Sequence, residues 1–145
     1  MSYSIDVNLL LYASDGSCRQ HDDAVRFLRQ RAADPDIFIL FWPTVFGYLR
    51  IATHPRIFAR PLSPAEALAN VESLLNLPRV RVASEGDDFL EFYREVGCGL
   101  TVRGNLVPDA HLAALLRQHG VRTLYTADTD FKKFDFLDVR NPLTS

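Results

Sequence analysis

Short continuous apolar runs alternate along the chain with stretches whose apolar residues recur at helical spacing. Tyr3–Asp6 reads as a first short strand, and Val7–Ala13 is apolar enough for a buried helix. Over His21–Ala33, Ala24, Phe27, Leu28 and Arg31 keep helical spacing until Asp34-Pro35-Asp36 breaks the run. Ile37–Phe41 is a second strand, and Pro43 opens a helix in its first turn, where a missing N–H costs nothing. Ser63-Pro64-Ala65-Glu66 is a capping box, and its helix turns Ala67, Leu68, Val71, Leu74 and Leu75 inward. Val80–Val82 follows as a third strand, Asp87–Val96 as a helix and Gly97–Asn105 as a glycine-containing loop. Pro108 starts a helix with Leu112, Ala113 and Leu116 inward and Gly120 as its stop. Thr123–Thr126 is a fourth strand and Leu137–Val139 a short fifth.

Strands separated by helices pair in parallel. The expected architecture is therefore α/β, an α/β/α sandwich with a mostly parallel four- to five-stranded sheet. Ligands of such sheets bind beyond the carboxyl ends of the strands, at a topological switch point. With 145 residues, 48% hydrophobic and 23% charged, the chain has ordinary globular composition and the size of one domain, residues 1–145. It can bury about two thirds of its unfolded surface and needs no disulfide staple. Cys18 and Cys98 lie far apart, with no His or Cys at metal-ligand spacing, and Cys98 reads as a loop residue. The N-terminus shows no secretory signal, and no apolar run approaches the ~20 residues of a membrane span. The expectation is a cytoplasmic protein with reduced thiols and no membrane association. A pI near 6.0 excludes a protein that coats nucleic acid through a global positive field.

The candidate chemistry is acidic. Asp6 ends the first strand, Asp128 and Asp130 follow the fourth, and Asp109 lies in the first turn of the Pro108 helix. Singly, each has a structural use: Asp6 as a helix cap, Asp109 at a positive helix N-terminus, Asp128 and Asp130 in an Asx-turn. Together, carboxylates crowded at one sheet edge repel one another unless a cation sits among them. All-oxygen ligands suit Mg²⁺ or Mn²⁺ rather than Zn²⁺. Such an ion can activate a water for attack on phosphorus and stabilise the leaving oxygen.

The segments Ser4-Ile5-Asp6-Val7-Asn8, Asn105 through Ala114, Thr126-Ala127-Asp128-Thr129-Asp130-Phe131 and Asn141-Pro142-Leu143 resemble those of PIN domains. The likeness is strongest to the VapC-type toxins of bacterial toxin–antitoxin pairs, a branch of which Leu49 through Phe58 also resembles. That resemblance implies a Mg²⁺-dependent endoribonuclease acting on tRNA, rRNA or mRNA, dimeric and inhibited by a small antitoxin protein. It makes Asp6 and Asp109 metal ligands, Asp128 the completion of the cluster, and Asp130 an outer ligand or water-orienting group. Thr126 is a candidate for hydrogen bonding to a carboxylate or an RNA phosphate, and Asn8 is read as a helix cap before an orienting group. The chain departs from the family at one place. Many PIN domains carry a Glu on the helix after the second strand, where this chain has Gly47, and no acidic residue lies between Asp36 and Glu66.

That acid-free stretch carries Arg50, His54, Arg56 and Arg60, which can hold RNA phosphates without reading sequence; Arg103 is a weaker candidate. His21, His54, His111 and His119 do not form a two-histidine ribonuclease pattern. Phe41, Trp42, Phe46 and Tyr48 are assigned to core or dimer surface before base stacking, and Phe131, Phe134 and Phe136 to packing that fixes the acidic loop. Two alternatives stand beside the nuclease. One is a PIN fold with weakened catalysis that binds RNA or antitoxin; the other is a phospho-accepting receiver domain, which leaves Asp109 unexplained. The net charge of −2 averages over an acidic pocket: setting the four Asp aside turns an excess of acids into an excess of bases.

Overall fold

Five strands form one sheet in the computed structural model, which describes residues 1–143; Thr144 and Ser145 of the expected domain lie outside the described residues. In chain order the elements are β1 (Ser2–Ile5), α1 (Val7–Ser14), α2 (His21–Ala32), β2 (Ile37–Phe41), α3 (Trp42–Ala52) and α4 (Pro64–Leu75). They continue with β3 (Val80–Ala83), α5 (Phe89–Val96), α6 (Leu106–Gln118), β4 (Thr123–Tyr125), a 3₁₀ turn (Thr129–Lys133) and β5 (Asp138–Arg140). The strand order is β3-β2-β1-β4-β5 and every pairing is parallel. The α/β expectation holds, with the fifth strand present.

Alternation along the strands builds two cores, because successive side chains leave opposite faces of a sheet. Tyr3, Ile5, Phe38 and Leu40 join Leu9, Phe27, Val45 and Tyr48 on one face. Phe41 and Leu124 join Leu112, Leu115, Leu116 and Val121 on the other. The first core lies under α1 to α4 and the second under α5 and α6. Phe131 and Phe134 are buried in the second core and anchor the acidic loop, as expected. Phe41 and Tyr48 are core residues, whereas Trp42 and Phe46 are exposed.

Helix starts differ from the expected ones in two places. α6 begins at Leu106, so Pro108 is its third residue; proline is accepted there because the first-turn N–H groups have no intrahelical partner anyway. α5 begins at Phe89 because Asp88 takes a left-handed conformation, φ 60°, that cannot continue from Asp87 as helix. Leu68, expected inward, is 48% exposed: α4 meets the core with the narrower face of Ala67 and Val71. The capping box is formed, with Ser63 Oγ accepting from Glu66 N and Ser63 N donating to Glu66 Oε1. Gly120 ends α6 with φ 69°, as its position predicts.

The order of the strands locates the site. From β1 the chain builds outward through β2 to β3, then returns to the other side of β1 with β4. The carboxyl ends of β1 and β4 therefore flank the switch point, and there the sequence places Asp6 and Thr126 to Asp130.

Candidate metal centre

Asp6 leaves β1 and caps α1 at once. Its N–H donates to Tyr125 O (2.9 Å), the last rung between β1 and β4, while its Oδ1 accepts from Val7 N (2.8 Å). Oδ2 accepts from Thr126 Oγ1 (2.8 Å) and from Asn8 Nδ2 (3.3 Å). The side chain is fixed by three donors and the residue is only 8% exposed. Burial pushes its carboxyl above the usual range; the Thr126 and Val7 bonds oppose that shift, and the nearby Asp128 adds to it.

Asp128 caps the 3₁₀ turn, its Oδ1 accepting from Asp130 N (2.9 Å), which leaves Oδ2 free for a cation. Asp109 projects from the first turns of α6 and makes no side-chain hydrogen bond among the described residues. Carboxylate oxygens of Asp109, Asp128 and Asp130 all lie within 4.8 Å of one another. Burial pushes Asp109 up to about 6, helped by repulsion from Asp128, Asp6 and Asp130 and opposed by Lys133. Lys133, whose Nζ stands 3.8 Å from Asp130 Oδ1, was not singled out from sequence; its i,i+3 spacing after Asp130 is the signal that could have found it.

The grouping differs in emphasis from the expected one. Asp130, expected outside the ligand set, belongs to the close group, because the 3₁₀ turn folds it back over Asp128. Asp6, expected as a principal ligand, stands beside that group rather than in it. Thr126 is 1% exposed, and its hydroxyl is committed to Asp6, Asn8 and Asp128 N (3.0 Å). Asn8 is not a cap: Asp6 performs that role, and Asn8 Nδ2 reaches Asp6 and Thr126 Oγ1 (3.2 Å) instead.

The donor set fits a hard divalent cation. Three carboxylates offer oxygen only, free oxygens remain on Asp109 and Asp128, and no His or Cys joins the group among the described residues.

A Cβ on Gly47 would meet Val7 Cγ2 at 3.8 Å, so this side of α3 adjoins the start of α1, where Asp6 sits. Arg50 is one turn further along the same side. Arg50, Arg56 and Arg60 are exposed and have no acidic partner among the described residues. His54 is half-buried, its Nδ1 accepting from Arg56 N (3.1 Å), which shapes the loop after α3. The other histidines have structural partners: His111 Nε2 stands 3.0 Å from Glu85 Oε1, His119 Nε2 2.8 Å from Ser84 O, and His21 Nδ1 3.0 Å from Tyr12 O.

Residues 3–137 match the PIN domain family. The chain is 40% identical over 144 residues, 99% of each chain, to Ribonuclease VapC48 of Mycobacterium tuberculosis. Its fold is similar to that in the crystal structure of VapBC2 from Rickettsia felis bound to a promoter DNA fragment, with a TM-score of 0.71. That likeness covers 97% of this chain and 98% of that one at 16% identity. It is similar also to Mycobacterium tuberculosis VapC20, a sarcin-ricin loop cleaving toxin, at TM-score 0.70 and 20% identity over 95% and 98% of the two chains.

Proposed function

Because this chain belongs to the PIN-domain family, and within it to the VapC ribonucleases, we propose that its acidic cluster holds a divalent cation, Mg²⁺ or Mn²⁺, for RNA hydrolysis. The protein is an endoribonuclease, the toxin of a toxin–antitoxin pair, with RNA as substrate and a cognate antitoxin as partner. The receiver-domain alternative is set aside by that membership. Residues 1–145 act as one cytoplasmic nuclease unit; among the described residues no helix is long and apolar enough to cross a membrane.

One observation carries the metal reading. Carboxylates from α6 and from the loop after β4 converge within 4.8 Å, although their charges oppose the approach. When bound, the cation lowers the pKa of water at the site and offsets negative charge on the scissile phosphate. Asp109 and Asp128 supply the free oxygens that hold it, Asp130 closes the group, and Asp6, fixed by its three donors, supports it from the β1 side. His21, His111 and His119 are held by structural partners, and none of them is assigned as a base. Arg50, with His54 and Arg56, is the surface assigned to RNA phosphates. The exposed Trp42 and Phe46, whose rings lie 6.2 Å apart on α3, support a homodimer contact.

The test is cleavage of structured RNAs by the purified toxin, free of antitoxin, with Mg²⁺ or Mn²⁺ and then with chelator. Cutting that stops in chelator and falls at least ~100-fold in Asp109→Asn is the expected result. Undiminished cutting by Asp6→Asn and Asp109→Asn overturns the proposal. Metal binding with no cutting selects the alternative favoured by Gly47, a PIN fold that binds RNA or antitoxin with weakened catalysis.

A further inference from the structure

Asn8 is poorly explained by local structure. It is the second residue of α1, where Asp6 already supplies the cap, and asparagine is a weak helix former. Its side chain points instead across the switch point. Nδ2 donates to Asp6 Oδ2 (3.3 Å) and Thr126 Oγ1 (3.2 Å), and Oδ1 accepts from Ala127 N (3.4 Å). Through its two ends a carboxamide can donate to a carboxylate and a hydroxyl while accepting from an N–H on the other side.

The Thr126 hydroxyl has one proton to donate and two lone pairs, and all three are used. It donates to Asp6 Oδ2 and accepts from Asn8 Nδ2 and Asp128 N. The direction of donation is thereby determined: Asn8 to Thr126, Thr126 to Asp6. The network joins the residue after β1 to the backbone of the loop that carries Asp128 and Asp130, residues almost the whole chain apart in sequence.

We infer that Asn8 is a positioning residue whose carboxamide, acting with the Thr126 hydroxyl, fixes the two acid-bearing segments in the mutual placement a divalent cation needs. Without it, Thr126 loses a donor, Ala127 N loses its acceptor, and the loop after β4 keeps only the Thr126–Asp6 side-chain bond to the start of α1. Groups that hold metal ligands in place are worth 10- to 100-fold in metal affinity. The inference rests on the metal reading of the cluster.

The test is Mn²⁺ binding to the full chain by calorimetry, with thermal melting in chelator measured alongside. Asn8→Ala is expected to bind Mn²⁺ about 10- to 100-fold more weakly while its melting temperature in chelator falls by no more than a few degrees, the lost hydrogen bonds being partly offset by the helix propensity of alanine. Thr126→Val is expected to match that loss and Thr126→Ser, which keeps the hydroxyl, to bind as wild type. The Asn8→Ala, Thr126→Val double variant should lose little beyond either single change, because both break one network. Asn8→Leu, of nearly the same shape, serves if alanine disturbs folding. Wild-type affinity in Asn8→Ala or Asn8→Leu, or losses that multiply in the double variant, overturns the inference alone. No Mn²⁺ binding by wild type overturns the metal reading, and this inference falls with it.

Discussion

Asp109 carries a stability consequence of opposite sign to most surface carboxylates. Its folded-state carboxyl sits near 6, above the ordinary 3.8, through burial and then the neighbouring carboxylates. A raised carboxyl contributes stability that is full below the ordinary value and lost as pH rises through the folded one. In chelator, Asp109→Asn is therefore expected to melt a few degrees higher than wild type at pH 7.5, the advantage shrinking as pH is lowered to 4.5. Calorimetric melting across that range checks the sign, and a variant that melts lower at pH 7.5 contradicts it. The carboxylates themselves were legible in sequence, because Asp at strand and helix ends has a restricted set of uses. The role of Asn8 was not, since cap and bracket differ only in a contact made 118 positions away.

Among the elements, α3 carries Gly47 in its interior, facing Val7 at the start of α1, and the exposed Arg50 one turn further along. Nothing crowds that glycine: an added Cβ meets only Val7 Cγ2, at an ordinary 3.8 Å. Gly47→Ala is expected to stabilise the fold by about 0.5–1 kcal/mol in urea unfolding, from helix propensity alone. At α4, Ser63→Ala removes the capping box and is expected to cost about 1 kcal/mol in the same assay. Sequence located every helix, yet the starts of α5 and α6 shifted for local reasons. Proline is tolerated throughout a first turn, so Pro108 bounds the start of α6 without fixing it, and the left-handed Asp88 left no compositional mark. Leu68 shows the limit of spacing arguments: periodicity finds a face, but the width of that face is set by the neighbouring helix.

At the scale of the whole molecule, alternation of strands and helices was enough to predict a parallel sheet, but not that β4 returns beside β1. Strand order is a tertiary outcome, and on it depends which carboxylates meet. Metal binding should be felt by the entire fold: Mn²⁺ at 100 times its dissociation constant is expected to add about 2.7 kcal/mol to unfolding in urea, and nothing in Asp109→Asn at the same concentration. The pairing of Asp6 with Tyr125, and of Thr126 with Arg140, has a consequence in time. Asp6 is made among the first residues of the chain, but its partners Tyr125 and Thr126 are made near the end, and Thr126 itself is held by a strand later still. A nascent chain is therefore expected to lack the assembled acidic site until β4 and β5 have left the ribosome. A chain ending at Gly120 should bind no Mn²⁺ in calorimetry, and binding by it would show that the site matures before the sheet is complete.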